Sequence, residues 1–128
     1  MTKRILIADD SVAARMIIKQ YLQIVGLHEA EFVEVNHGGQ ALEQLKESSF
    51  DLIVTDMNMP VMDGRTFIRR LKASPRLNQI PVIIISSAAN KDNQEAFMKY
   101  GANYVISKPI SPNVLNEAIQ AISKQEES

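Results

Sequence analysis

Five short apolar runs, each followed by a stretch of helical periodicity, leave this chain few folds to choose from. The runs are Ile5 to Ala8, Glu31 to Val35, Leu52 to Thr55, Pro81 to Ile85 and Asn103 to Ile106. The run at Pro81 to Ile85 is the most β-branched and reads as a fully buried strand. Glu31 to Val35 alternates, as expected nearer an edge. Between the runs, apolar residues recur at helical spacing. Val12, Met16, Ile17, Tyr21 and Ile24 predict a helix over 11–25, closed by Gly26. Further helices are predicted over 40–47, 66–72 and 92–100, the last closed by Gly101. Ser111-Pro112 opens a final helix with Val114, Leu115, Ala118, Ile119 and Ile122 on one face, and the polar tail from Gln125 to Ser128 is expected to fray. Strand and helix alternate with short links, so the chain predicts an α/β fold: a parallel sheet covered by helices on both faces.

At 128 residues the chain is expected to be a single domain with a sizeable core. A net charge of −1 gives no global reason to expect nucleic acid or an anionic membrane as partner. The absence of cysteine removes disulfides and thiolate metal sites. With no apolar stretch long enough to span a bilayer and no signal-peptide core, a cytoplasmic, soluble protein is the expectation.

In an open parallel sheet, sites form outside the carboxyl ends of the strands. The residues there are Asp9 and Asp10 after the first strand, Asp56 after the third, Ser86 after the fourth and Lys108 after the fifth. The segment after Asp56 holds Asn58, Met59-Pro60 and Asp63-Gly64. It cannot continue as a strand, because Pro60 has no N–H and Asp63-Gly64 is a turn signal. Three carboxylates on one edge repel one another. At ~4 Å and an effective dielectric of ~20, each pair costs about 4 kcal/mol before relaxation. A proton or a cation must offset that, and Mg²⁺ suits an all-oxygen site that also receives phosphate oxygens. A carboxylate can attack phosphorus to form an acyl phosphate, and Asp56, placed singly at the centre of the edge, is the candidate. Lys108 can pair with a phosphoryl oxygen as a point charge, and Ser86 can donate a hydrogen bond to it.

Taken singly, these residues have plainer roles. Asp9, Asp10 and Ser11 suit a helix N-cap, and Asp63-Gly64 suits a turn that opens a helix. His28 and His37 lie in loops and are assigned no role. Met59 and Met62 are read as loop anchors. The basic cluster Arg65, Arg69, Arg70 and Lys72 reads as a solvated face, since no aromatic residues interleave to stack bases.

Together, the Asp9-Asp10 pair, the block from Asp56 through Pro60 to Gly64, the Ser86 hydroxyl and Lys108-Pro109 follow one another at spacings that resemble the receiver domains of two-component response regulators. The resemblance is strongest to their single-domain, chemotaxis-type (CheY-like) members, and it covers about residues 4–124. It implies a flavodoxin-like (βα)5 sandwich with strand order 2-1-3-4-5. It implies Asp56 as phospho-acceptor, with Asp10 and Asp56 as direct Mg²⁺ ligands, Asp9 acting through water and the Asn58 backbone carbonyl as a further ligand. It implies Ser86 rather than Ser87 as the switch hydroxyl, Lys108 as cationic anchor, and a cis Lys108-Pro109 bond. The phosphoryl group would come from a phosphohistidine on a sensor histidine kinase or phosphotransfer protein, or from a small acyl phosphate. The output would be an altered affinity for a downstream protein through the fourth helix, fifth strand and fifth helix, with Lys91, Lys99, Tyr104, Asn113 and Asn116 as candidate contacts. Such a chain would be expected to act as a monomer and to catalyse only its own phosphorylation and dephosphorylation.

One departure accompanies the resemblance. The family's switch aromatic usually lies three residues before the lysine, where this chain has Val105; Tyr104 is one residue earlier and points to the opposite face. The position two after the acceptor, where aspartyl-phosphate phosphatases carry a general acid, holds Asn58. A flavin carrier of the same architecture would need a hydroxyl- and glycine-rich loop after the first strand, where Asp9-Asp10 would repel a phosphate. The alternatives to a phosphorylation switch are a phosphorylation-independent interaction module and a receiver cut from a longer regulator.

Overall fold

The computed structural model describes residues 3–87 and 91–127. Five parallel strands, β1 (Arg4–Ala8), β2 (Glu31–Val35), β3 (Leu52–Asp56), β4 (Val82–Ser86) and β5 (Tyr104–Ser107), form one sheet in the order β2-β1-β3-β4-β5. The helices are α1 (Val12–Leu22), α2 (Gly38–Glu47), α3 (Gly64–Ala73), α4 (Lys91–Tyr100) and α5 (Pro112–Glu127). This is the flavodoxin-like arrangement expected, with β2 at one edge of the sheet.

The strands sort their side chains between two apolar layers by the two-residue period of extended chain. Ile5, Ile7, Leu52, Val54, Ile83 and Ile85 pack on Ile18 and Leu22 of α1 and on Leu115, Ala118 and Ile122 of α5. Leu6, Ala8, Ile53, Val82 and Ile84 pack on the other side against Ala41, Leu45, Phe67, Ile68, Leu71 and Phe97, which come from α2, α3 and α4. The three central strands are buried on both faces, which explains why they read as unbroken apolar runs.

Several boundaries differ from the sequence reading, each for a local reason. The first helix ends its regular part at Leu22. A widened turn, Gln23–Leu27, follows, in which Val25 leaves helical geometry and Gly26 adopts φ +113°, a conformation that glycine accepts without steric cost. The apolar spacing that predicts α1 does not mark its inner face. The inner positions are Arg15, Ile18 and Leu22, whereas Val12 and Met16 are 61 % and 55 % exposed. Helix α2 starts at Gly38 rather than at Gln40, because His37 caps it: its Nδ1 accepts from the Gly39 N–H at 3.0 Å and the Gln40 N–H at 3.4 Å. His37 therefore has a structural role that the sequence reading denied it.

Helix α3 likewise begins early, at Gly64, with Asp63 Oδ1 accepting from the Thr66 N–H at 2.8 Å. The Asn103 carboxamide serves the start of β4 instead of extending β5, accepting from the Val82 N–H at 2.9 Å. Helix α5 continues through Gln125 to Glu127, and the Gln125 side chain bonds the Asn103 side chain and carbonyl at 3.1 and 3.4 Å; Ser128 lies outside the described residues. Among the described residues no helix is long and apolar enough to cross a membrane.

Gly64 ties the fold to the strand that carries Asp56. A Cβ there would stand 2.6 Å from the Asp56 carbonyl oxygen and 2.9 Å from Met57 Cα, both backbone atoms that cannot step aside. Its N–H donates to the Met57 carbonyl at 2.9 Å. Gly64→Ala should cost about 1–3 kcal/mol in urea unfolding through overpacking, read as a lower midpoint at unchanged slope. His37→Ala should cost about 1 kcal/mol through loss of the cap.

Candidate functional site

The residues singled out at the strand ends meet in one pocket. Asp9 follows β1, and its Oδ1 accepts from the Ser11 N–H at 2.9 Å, turning the chain into α1. Ser11 in turn caps α1, its Oγ accepting from the Ala14 N–H at 3.2 Å. Asp56 ends β3; its Oδ1 accepts from the Met57 N–H at 2.8 Å and the Asn58 N–H at 3.4 Å. These two amides turn one carboxylate oxygen back on its own loop and leave Oδ2 facing Lys108, whose Nζ is 3.4 Å away. The same ammonium lies 4.0 Å from Asp9 Oδ2.

Asp9 and Asp56 are almost fully buried, at 1 % and 5 % exposure, whereas Asp10 reaches solvent. One carboxylate oxygen from each of the three lies within 4.8 Å of the others. Burial, above all, raises the Asp9 pKa above the ordinary carboxylate range, with the neighbouring Asp56 and Asp10 adding to it; the Ser11 N–H and the Lys108 ammonium act in the opposite direction. Asp9 Oδ2 is buried and accepts no hydrogen bond from any of the described residues. A buried acceptor of this kind, in an all-oxygen cluster, fits a hard divalent cation.

Ser86 closes β4, buried, one position past the residue that pairs with Asp56 across the sheet, while Ser87 is exposed. The backbone links Ser86 to the lysine: the Lys108 N–H donates to the Ser86 carbonyl at 3.1 Å. The Lys108-Pro109 bond is cis. Val105 packs on the α2–α4 side of the sheet and Tyr104 on the α1–α5 side, so the aromatic ring does stand on the face opposite the family's usual position.

Met59 and Met62 anchor the loop after Asp56 in the apolar layer, as read. Between them Val61 sits at φ +66° and is highly exposed, with the Met62 N–H donating to the Pro60 carbonyl across it in a tight γ-turn. A β-branched residue is strained in that region.

Sequence reasoning missed Arg15. It is buried in α1, and its guanidinium donates to the Asp9 carbonyl, Asn36 Oδ1 and Glu34 Oε1. Its spacing of three from Ile18 and seven from Leu22 was the available signal, since it places an arginine on the inner face of the helix.

The carboxyl edge of the parallel sheet thus presents one carboxylate beside an ammonium, with two further carboxylates and a buried hydroxyl close by. The sequence matches the family described as "Response regulator receiver domain" over residues 5–120. It is 36 % identical over 119 residues to the chemotaxis protein CheY of Pseudomonas aeruginosa, covering 93 % of this chain and 94 % of that protein. It is 33 % identical over 120 residues to CheY1 of Helicobacter pylori, covering 93 % and 95 % of the two. The structure of CheY4 from Vibrio cholerae superposes with a TM-score of 0.84 at 24 % identity, covering 95 % of this chain and 99 % of that one. The chain belongs to the response regulator receiver domain family, and within it to the CheY type.

Two stability measurements probe this pocket. Asp9→Asn keeps an oxygen for the Ser11 N–H and removes a buried charge, so at pH 7 in Mg²⁺-free buffer it should stabilise the fold by about 1 kcal/mol. Because burial raises the folded-state pKa of Asp9, wild type is penalised fully above that raised value and is relieved as pH falls through it. The advantage of Asn should therefore shrink on acidification, and an advantage that grows would contradict the assignment. Val61→Asn, which tolerates positive φ, should raise stability by about 1 kcal/mol.

Proposed function

We propose that this protein is a phosphorylation-controlled binding switch, acting in the cytoplasm, in which Asp56 accepts a phosphoryl group. The donor is a phosphohistidine on a sensor histidine kinase or phosphotransfer protein, or a small acyl phosphate. The observation that carries the reading is the paired orientation of Asp56: Oδ1 held by two backbone amides, Oδ2 turned toward Lys108 at 3.4 Å. The fixed oxygen sets the angle of the carboxylate, and the other is the nucleophile. Oδ2 attacks phosphorus, the P–N bond to the donor imidazole (or the P–O bond to the acyl group) breaks, and the departing group takes the electron pair. The product on this chain is an acyl phosphate at Asp56.

Among the described residues the pocket gathers three carboxylates around one ammonium, an excess of acidic groups that matches a divalent cation. Asp9, Asp10, Asp56 and the Asn58 carbonyl would hold Mg²⁺, which when bound supplies neutralisation of phosphoryl charge. Lys108, now paired with Asp56 Oδ2, exchanges that partner for a phosphoryl oxygen. The Ser86 hydroxyl donates a hydrogen bond to another. Both movements draw on residues joined by the Lys108–Ser86 backbone bond, so the ends of β4 and β5 respond together. The output face is α4, β5 and α5, where Lys99, Asn113 and Asn116 are exposed and Tyr104 is half-buried; the Lys91 side chain lies outside the described residues. The position two after the acceptor is Asn58, which cannot serve as a general acid, so the chain turns over its own phosphoryl group and no separate substrate.

The test is intact mass after incubation with acetyl phosphate, with and without Mg²⁺. The expected result is a gain of one phosphoryl mass in wild type that requires Mg²⁺ and is absent in Asp56→Asn. No gain in folded wild type would overturn the reading in favour of a phosphorylation-independent interaction module.

A further inference from the structure

We infer that Arg15 is a positioning residue for the acidic pocket, setting the peptide unit between Asp9 and Asp10 so that both carboxylates can hold a divalent cation. The inference rests on the Mg²⁺-binding reading above. Asp9 is fixed on both sides of its Cα: its N–H donates to the Val35 carbonyl at 3.1 Å, and its carbonyl accepts from Arg15 Nη1 at 2.6 Å. That carbonyl belongs to the peptide leading into Asp10, so the guanidinium determines the tilt from which the exposed Asp10 carboxylate projects. Arg15 is itself held. The same Nη1 donates to Asn36 Oδ1 at 2.8 Å, and Nε donates to Glu34 Oε1 at 3.2 Å. Asn36 is fixed in turn by its N–H to Gln40 Oε1 at 2.7 Å.

The fork thus joins the loop after β1 to the end of β2 and the loop that precedes α2, and it engages no carboxylate of the pocket. A buried guanidinium is costly unless its donors are satisfied, and an apolar side chain at this position would pack on the same inner face of α1. What the arginine adds is orientation. Mg²⁺ demands near-ideal octahedral geometry at about 2.0–2.1 Å, so a small tilt of the Asp9–Asp10 peptide is felt as lost affinity. Groups that orient metal ligands typically govern roughly 10- to 100-fold of affinity.

The experiment is calorimetric titration of the full chain with Mg²⁺, for wild type, Arg15→Met and Arg15→Lys, with urea unfolding of each in Mg²⁺-free buffer. Arg15→Met should weaken Mg²⁺ binding roughly tenfold or more, and Arg15→Lys, which can keep the carbonyl bond but not the fork, should fall between. The Mg²⁺ concentration for half-maximal phosphorylation by acetyl phosphate should rise by the same factor. A purely structural defect would instead lower the phosphorylated plateau and leave the half-point in place. Should Arg15→Met fail to fold, Arg15→Lys carries the test. A folded variant that binds Mg²⁺ within about twofold of wild type would overturn the inference. Wild type that neither binds Mg²⁺ nor takes up phosphoryl would overturn the function proposed above, and this inference with it.

Discussion

Asp9 and Asp56 stand side by side where water cannot screen them, and most of the architecture at this end of the molecule follows from that repulsion. Each is almost fully buried, and one ammonium, Lys108, lies near both. In a folded chain of ordinary marginal stability, such a pair is a standing cost. It is tolerable because the surrounding sheet is buried on both faces and because backbone amides take up one oxygen of each carboxylate, Ser11 for Asp9 and Met57 with Asn58 for Asp56. The remaining oxygens point at Lys108. Stability is given up at one place so that charge can be delivered there, the trade expected when function needs a strained, destabilised site. Val61, held at positive φ in the loop after Asp56, belongs to the same trade.

The loops at this edge support one another in a chain of contacts. Arg15 links the loop after β1 to Asn36. The following Gly38 donates its N–H to the Met62 carbonyl at 3.2 Å, joining the start of α2 to the loop after β3. Gly64 then presses α3 against Asp56 and Met57 with no room for a Cβ. Asp56 is therefore braced from the loops after β1, β2 and β3, while Ser86 and Lys108 approach from β4 and β5. The braced side is rich in backbone hydrogen bonds and capped helices. The other side carries the long lysine and the hydroxyl, groups that can exchange partners without moving a helix.

What could be read in advance divides along physical lines. The fold was legible because a doubly covered parallel sheet imposes unbroken apolar strands and helical periods, and because sites collect at the carboxyl edge of such a sheet. Asp9, Asp10, Asp56, Ser86 and Lys108 could be named from position alone. Less legible were groups whose role depends on a partner distant in sequence. Arg15 looks like any helix arginine until its spacing from Ile18 and Leu22 is noticed, and its acceptors lie on β2 and the loop beyond. His37 looked idle because an imidazole is an uncommon cap; only the backbone turn that brings Gly39 and Gln40 over Nδ1 gives it that role. The apolar face of α1 misled for a different reason. Val12 and Met16 follow the helical period, but the period states only that a helix exists, and a neighbouring set of positions holds its inner face.

Val105 bears on how a change at Asp56 can travel. An aromatic side chain in its place could swing between buried and exposed positions and carry a hydroxyl with it. Valine is short, apolar and stiff at χ1, and it is packed against the α2–α4 layer. The physical link from Ser86 to β5 is instead the backbone: the Lys108 N–H on the Ser86 carbonyl, and the pairing of Ser86 with Ser107. Under the proposed function, movement of the Ser86 end of β4 toward a phosphoryl group would act directly on that hydrogen bond and on the lysine that follows it. Under that function, coupling would accordingly run through the ends of two adjacent strands, and a partner would sense the position of β5 and the start of α5 rather than the rotamer of one ring.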